Sequence, residues 1–254
     1  MPWRLYGDSE PEVIVCGHSH AYAFMRGAQH APPSARFRRA VAYTSPVTAG
    51  APTGDDYWDF VAQQRPASAF AVVWNGNQHN VDFLFEQTPP VHILRPTGTS
   101  DDPPADALWV SRSTLHAHFR PTIDDLRRVV DRLAATARVV IVGTPAPKPS
   151  LHVTAHVSGD AQFAAVIAAS PPDRRPVVAR EQLRLGLWEI TQEMLRECAA
   201  AAAVEYLPAP DWSFDDSGLL RPELSASDST HANLEYGSQV WDDLEQLIER
   251  RTAA

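Results

Sequence analysis

The sequence predicts an α/β fold in which helices cover both faces of a central parallel sheet, giving three layers. Short apolar runs end at Gly or Pro, as is typical of strands that are buried on both faces. These runs alternate with longer segments of helical periodicity, which indicates right-handed strand–helix–strand units. The length of 254 residues suits one large domain or two small ones. We expect a single domain over residues 1–254.

Five apolar runs are the predicted strands, so we expect a sheet of about five strands. The runs cover residues 13–16, 40–43, 70–74, 139–142 and 204–207. Three segments have the spacing of amphipathic helices: residues 122–138, 180–203 and 234–250. Pro121 precedes the first of these helices, and a proline at a helix start does no harm because its missing N–H has no partner there.

Two proline-rich segments fit this alternation poorly. Residues 86–117 contain five prolines, and residues 145–176 contain six. Both segments follow strand ends, where open α/β sheets place their ligand-binding loops. We therefore expect two insertions that shape the entrance of a pocket.

The composition excludes several kinds of chemistry and partner. The 22 Lys+Arg and 31 Asp+Glu residues give a net charge of −9, which argues against nucleic acid as a partner. Lys148 is the only lysine, so Schiff-base chemistry has little scope, and two cysteines cannot build a Cys-rich zinc site. No apolar stretch is long enough to span a bilayer, and the N-terminus lacks a signal-peptide pattern. We expect a cytoplasmic protein without a membrane partner.

The turn after the first predicted strand reads Gly17-His18-Ser19-His20. A helix is expected from Ala21, so Ser19 should lie at the carboxyl edge of the sheet and at a helix N-terminus. A nucleophilic serine needs this setting, because its attack creates an oxyanion close to its own backbone amide. The alternative is a serine that only caps the helix.

A second polar turn, Asn75-Gly76-Asn77-Gln78-His79-Asn80, follows the predicted strand at residues 70–74. The carboxyl ends of parallel strands meet at one edge of a sheet, so an Asn side chain here could donate a hydrogen bond to the same oxyanion. The alternative is a plain Asn-Gly turn.

Asp228 and His231 lie three residues apart, just before the last predicted helix. One loop can hold both side chains together, and a His base oriented by a carboxylate is what a serine nucleophile requires. The alternative is that Asp228 caps the helix and His231 is a surface residue of its first turn.

Taken together, these three segments resemble the SGNH/GDSL hydrolase superfamily over roughly residues 12–250. The resemblance implies a three-layer, flavodoxin-like fold. It also implies that Ser19 is the nucleophile, that His231 is the general base and then the general acid, and that Asp228 orients His231.

The resemblance further implies an oxyanion hole formed by the Ser19 amide, Asn77 and a glycine. Gly50 is the candidate for that glycine, and Gly54 is the alternative. Four more residues are expected close to the substrate: His18, His20, Gln78 and His79.

The chain departs from the pattern of the superfamily in two blocks. The first block is usually Gly-Asp-Ser, but here it reads Gly17-His18-Ser19. The third is usually Gly-x-Asn-Asp, but here it reads Asn75-Gly76-Asn77-Gln78. A Gly-Asp-Ser does occur at Gly7-Asp8-Ser9, but it precedes the strand and so should not be the nucleophile turn.

The predicted function is hydrolysis of a small-molecule ester through an acyl-enzyme on Ser19, without a cofactor. Two alternatives stay open: an acyltransferase that uses the same three residues, and a non-catalytic member of the fold that binds a carbohydrate or acyl ligand. No metal is expected, because no third ligand stands at a suitable spacing beside any histidine pair. The pairs are His18 with His20, His116 with His118, and His152 with His156.

Overall fold

The structure is a computed structural model that describes residues 3–44, 55–74, 82–93, 103–171 and 175–252. Its strands are β1 (Trp3–Gly7), β2 (Val13–Gly17), β3 (Arg39–Thr44), β4 (Ala69–Val73), β5 (Val91–His92), β6 (Leu108–Trp109), β7 (Arg138–Val142) and β8 (Glu205–Leu207). Its α-helices are α1 (Met25–Gln29), α2 (Asp55–Gln63), α3 (Arg112–Ala134), α4 (Ser150–His156), α5 (Ala161–Ala169), α6 (Glu181–Ala201) and α7 (Leu234–Thr252). A 3₁₀ helix, Ser19–Phe24, precedes α1.

Six strands form the central sheet in the order β1-β3-β2-β4-β7-β8. All neighbouring pairs are parallel except β1 and β3. The predicted α/β fold with a central parallel sheet is confirmed, and β1 adds an antiparallel edge strand to the five predicted strands. Along the chain, the order of the parallel strands reverses between β2 and β4. Open α/β sheets bind ligands beyond the carboxyl ends of the strands at such a point.

The two faces of the sheet are covered by different helices. Val13 and Val15 of β2 belong to an apolar cluster with α1 and α7, whereas Ile14 and Cys16 belong to a cluster with α2, α3 and α6. Every residue of β2 and β4 is buried. Burial on both faces explains why these runs are uniformly apolar instead of alternating between apolar and polar residues.

Helix α3 is longer than the sequence predicts, because it begins at Arg112 and not at residue 122. Pro121 therefore lies inside the helix, and the expectation that it marks the helix start is wrong. Leu115 and Phe119 are buried on the earlier turns. Their packing stabilises the helix on the N-terminal side of the proline and outweighs the backbone hydrogen bond that a proline removes.

Both proline-rich segments contain regular structure. Strands β5 and β6 and the start of α3 fall within residues 86–117, where Val91 and Leu115 join an apolar cluster with α6. Helices α4 and α5 fall within residues 145–176 and pack in a smaller cluster that includes Val153. That these segments are insertions in one domain stays a prediction.

Candidate active site

Ser19 is the first residue of the 3₁₀ helix that follows β2, and His18 occupies the cap position. The helical segment thus begins before the expected start at Ala21, and Ser19 is not its cap. Gly17 makes the turn possible, because its φ of +134° and a Cβ position 2.0 Å from the Val73 carbonyl oxygen exclude any larger residue. The backbone N–H of His18 donates to the same oxygen at 3.0 Å. The backbone hydrogen bonds between β2 and β4 therefore continue up to the residue before Ser19.

Tyr57 of α2 holds this turn with its hydroxyl group. The Oη atom accepts a hydrogen bond from the Gly17 N–H and donates one to the Ala42 carbonyl, each at 2.9 Å. Burial raises the pKa of Tyr57 well above its ordinary value of 10.0. The phenol therefore stays protonated and keeps both bonds, which tie β2 to β3 beside the turn.

Asp228 and His231 lie on the loop before α7 and are hydrogen bonded to each other. The distance from His231 Nδ1 to Asp228 Oδ2 is 3.0 Å, and Nδ1 is the donor because a carboxylate only accepts. Asp228 Oδ1 accepts from the backbone N–H groups of Thr230 and His231 at 2.9 and 2.7 Å. Asn233, not Asp228, caps α7, because its Oδ1 accepts from two N–H groups of the first turn at 3.0 Å.

The Asp228 carboxylate is held in its ionised form. Burial by itself raises the pKa of Asp228, but hydrogen bonds from His231 and the charge of Lys148 lower it, and the net pKa is far below its ordinary value. Because the carboxylate binds the Nδ1 proton, a neutral His231 ring has Nε2 available as a proton acceptor.

Three residues within 145–176 contact the loop, and the sequence did not predict any of these contacts. Their contacts include Lys148 Nζ to Asp228 Oδ1 at 3.1 Å, His152 Nε2 to the Ala226 carbonyl at 2.9 Å, and Ser229 N to Asp160 Oδ2 at 3.0 Å. The partners stand 69 to 80 positions apart in the chain, so no local pattern could reveal them.

Ser19 and His231 line the same cavity, which has a volume of about 470 Å³. Its walls come from the 3₁₀ helix, from Tyr43 of β3, and from the loop before α7 together with Leu234 at the start of that helix. A second cavity of about 430 Å³ shares Tyr22 and Leu234 with the first and is also lined by Met25. Each cavity is within the range of small-molecule sites, about 300–1,000 Å³.

The two histidines that flank Ser19 have different surroundings. The His20 ring is buried, lines the cavity and lies 4.8 Å from the His231 ring, measured between centroids. The His18 ring instead packs at 4.4 Å against Trp74, on the face of the sheet that α2 and α3 cover. These two histidines therefore do not face each other as a metal-binding pair would.

Several predicted site residues lie outside the described ranges, so their roles stay predictions. They are Gly50, its alternative Gly54, Asn77, Gln78 and His79. The Gly7-Asp8-Ser9 motif is described, and Gly7 pairs with Ala40 near the start of β3. This motif therefore lies at the opposite edge of the sheet from Ser19.

Within the part of the chain that the structure describes, no three His, Cys, Asp or Glu side chains are grouped as metal ligands would be. His118 bonds to Asp82 at 2.9 Å, and the His152 and His156 rings stack at 4.3 Å. Among the helices of the described ranges, none is long and apolar enough to cross a membrane.

Comparison with solved structures finds a lipase, an acetyltransferase domain and an aryl esterase among the similar chains. An extracellular lipase from Streptomyces rimosus is 14% identical, with a TM-score of 0.49 over 92% of this chain and 98% of the lipase. The periplasmic domain of a lipopolysaccharide acetyltransferase from Salmonella ser. Paratyphi A is 10% identical, with a TM-score of 0.48 over 95% of this chain and 85% of that chain. The aryl esterase of M. smegmatis is 11% identical, with a TM-score of 0.39 over 94% of this chain and 99% of the esterase.

No protein-family model matches the sequence, and no curated protein matches it either. At identities of 10–14% and TM-scores under 0.5, the structural matches carry no information on a substrate. The function of this chain is therefore inferred from its own residues.

Proposed function

We propose that this chain is a serine-dependent enzyme that hydrolyses a small-molecule ester through an acyl-enzyme on Ser19. The observation that carries the proposal is the 3.0 Å hydrogen bond between Asp228 and His231 on a cavity that Ser19 also lines. A serine at a strand-to-helix turn, a histidine and an ionised carboxylate are the three parts that acyl transfer of this kind requires.

In the proposed reaction, His231 Nε2 accepts the hydroxyl proton of Ser19 while Oγ attacks the carbonyl carbon of the ester. The tetrahedral intermediate collapses when His231 returns that proton to the leaving alcohol oxygen, which leaves the acyl group on Ser19. A water molecule then gives a proton to His231 and attacks the acyl carbon. When this second intermediate collapses, the bond from the acyl carbon to Ser19 Oγ breaks, His231 returns the proton to Oγ, and the carboxylic acid leaves.

The negative oxygen of each intermediate needs hydrogen-bond donors that are fixed before the reaction. The Ser19 backbone amide and Asn77 are the proposed donors, with Gly50 as the third. The cavity that adjoins the site has Tyr22, Met25 and Leu234 in its wall, beside the polar residues Arg26, Gln29 and His30, and the apolar side chains suit an apolar acyl or alcohol group. We therefore propose a small ester with an apolar part as the substrate.

A transferase would differ only in the second half of the reaction, where an alcohol or amine replaces water. Product analysis with and without an added alcohol decides between the two. A cytoplasmic location stays a prediction.

The proposal is tested by labelling with a fluorophosphonate probe, followed by peptide mapping. The label should be on Ser19, and Ser19→Ala should abolish it and lower the turnover of p-nitrophenyl acetate by about 10⁴-fold or more. The matched control is Ser9→Ala, which alters the exposed serine of the Gly-Asp-Ser motif at the other edge of the sheet and should keep both label and turnover. A label on another residue, or full turnover in Ser19→Ala, would exclude Ser19 as the nucleophile.

A further inference from the structure

Lys148 is the only lysine of the chain, and its side chain has an exposed fraction of 0%. Lysine is almost never fully buried unless its charge is paired. Lys148 lies between β7 and α4, against the loop that carries Asp228 and His231. A cation in this place needs partners that offset its loss of hydration.

The ammonium group makes three hydrogen bonds, all with that loop. Lys148 Nζ donates to the Asp228 carbonyl at 2.7 Å, to the Ala226 carbonyl at 2.8 Å and to Asp228 Oδ1 at 3.1 Å. An ammonium has three N–H groups, so these acceptors use all of them. Burial lowers the pKa of Lys148, while the Asp228 carboxylate acts in the opposite direction and favours the charged form.

The two carboxylate oxygens of Asp228 have different partners. Oδ1 accepts from Lys148 Nζ and from two backbone N–H groups of the loop. Oδ2 accepts from His231 Nδ1. A carboxylate that is held on one oxygen by a cation and two amides has little freedom to rotate, so its other oxygen stays directed at the imidazole.

We propose that Lys148 is a positioning residue of the active site. It fixes the orientation of the Asp228 carboxylate, offsets part of its negative charge and acts on His231 through it. This inference rests on the proposed function in taking His231 as the base. Lys148 is not proposed to touch the substrate.

The backbone of Lys148 is itself held in place. Arg184 of α6 is buried, and its Nη1 donates to the Lys148 carbonyl at 2.7 Å while its Nη2 donates to Ser150 Oγ at 2.8 Å. The backbone from which the Lys148 side chain extends is therefore held by hydrogen bonds, as a positioning role requires.

Other ionisable groups face the same loop and must be separated from Lys148 in a pH experiment. They are Asp160, which bonds to Ser229; His152, which bonds to the Ala226 carbonyl; His156, stacked on His152; and His20, whose ring lies 4.8 Å from His231. Burial lowers the pKa of His152 below its ordinary value of 6.5. The histidines that touch the loop or His231 therefore each need a control variant.

Lys148→Met keeps a long side chain and removes the charge. The measurement is the pH dependence of kcat/KM with p-nitrophenyl acetate. Loss of the cation makes the surroundings of His231 more negative, which favours the protonated ring that cannot accept the Ser19 proton. The acidic limb should move to higher pH by about 0.5–1 unit, and kcat on the plateau should fall about tenfold because Asp228 is less well oriented.

Ser229→Ala is the matched control, because it removes the hydroxyl contact with Asp160 and loosens the same loop without changing its charge. It should lower kcat and leave the acidic limb in place. The shift caused by Lys148→Met should persist in proteins that also carry His20→Gln or His152→Gln. If Lys148→Met moves the limb no further than Ser229→Ala does, Lys148 only anchors the loop and the proposal is wrong.

The single lysine also allows a test that needs neither turnover nor a Lys148 variant. Protein labelled with ¹³C-lysine has one lysine side-chain NMR signal, which is titrated in the wild type and in Asp228→Asn. The wild-type midpoint should lie below the ordinary value of 10.5. Asp228→Asn should lower it by about one more unit, because the carboxylate that favours the ammonium is lost.

If the Lys148 signal has the same titration midpoint in the wild type and in Asp228→Asn, the proposal is wrong. Failure of the proposed function gives a different result, in which the wild type has no turnover while the two midpoints still differ.

Discussion

The turn at Gly17-His18-Ser19 and the loop from Ala226 to His231 reach the same cavity but are held in different ways. The turn continues the backbone hydrogen bonds between β2 and β4 and is fixed by the buried hydroxyl of Tyr57. The loop is held by side chains of residues 145–176, outside the central sheet. The proposed nucleophile is thus held directly by the end of a core strand, whereas the proposed base depends on a proline-rich segment.

The turn that carries Ser19 thus depends on the central sheet, whereas the loop that carries Asp228 and His231 depends on residues 145–176. Apart from removal of the Ser19 hydroxyl, changes at the turn should act mainly on folding, because the turn cannot move without disturbing β2 and β4. Changes at the loop should act mainly on catalysis, because the loop lies outside the central sheet. Variants in each region test this distinction.

Among variants of the loop, Asp228→Asn should have the largest effect on catalysis. The Asn amide can turn its N–H group toward His231 and favour the wrong tautomer of the ring, so kcat should fall about 10³–10⁴-fold. The measurement is kcat with p-nitrophenyl acetate, at a pH on the plateau. A fall of less than tenfold would contradict the role of Asp228.

Asp215→Asn is the matched control, because Asp215 Oδ1 also accepts two backbone N–H bonds, from Ser217 and Leu219, on another loop. It should leave kcat unchanged. Because the pKa of folded Asp228 is lowered, its contribution to the free energy of unfolding is complete above about pH 4 and lost as the pH falls further. The difference in stability between the wild type and Asp228→Asn should shrink over that acidic range.

Gly17→Ala tests the turn, where the main effect should be on folding. A Cβ at this position would stand 2.0 Å from the Val73 carbonyl oxygen, in addition to the strain of a φ of +134°. The free energy of unfolding should fall by roughly 3 kcal/mol or more. Gly218→Ala is the control, since Gly218 also has a positive φ, +81°, but nothing lies within 4 Å of its Cβ position. Equal losses in a urea titration would contradict the close packing of β2 against β4.

The fold could be predicted because buried parallel strands leave a strong pattern in the sequence. Val13–Cys16 is apolar throughout because both of its faces are covered. Trp3–Gly7 was missed because it is a partly exposed edge strand without that pattern. The sequence places the start of helix α3 too late, after Pro121, because local helix propensity does not include the packing of Leu115 and Phe119.

The site was only partly predictable, because a sequence motif identifies candidate catalytic residues but not the distant residues that contact and position them. Asp228 and His231 are close in sequence, so their pairing could be expected. The contacts of Lys148 and Tyr57 join residues 80 and 40 positions apart and leave no local pattern. One signal was available for Lys148: it is the only lysine among 22 basic residues, and a compact ammonium is not interchangeable with a guanidinium.

The smallest expected effect is that of Tyr57→Phe, which tests whether the hydroxyl that holds the turn contributes to kcat as well as to stability. It leaves the Gly17 N–H and the Ala42 carbonyl without the Tyr57 hydroxyl, which should cost about 1–3 kcal/mol of unfolding free energy. Ser19 should also shift slightly, so kcat should fall about tenfold, less than the roughly 10²-fold cost of a 1 Å misplacement. Tyr206→Phe removes a hydroxyl that bonds to Gln192 at 2.9 Å, at β8 on the far edge of the sheet, and should lower stability without changing kcat. If both variants lower kcat equally, Tyr57 has no special part in holding the turn that carries Ser19.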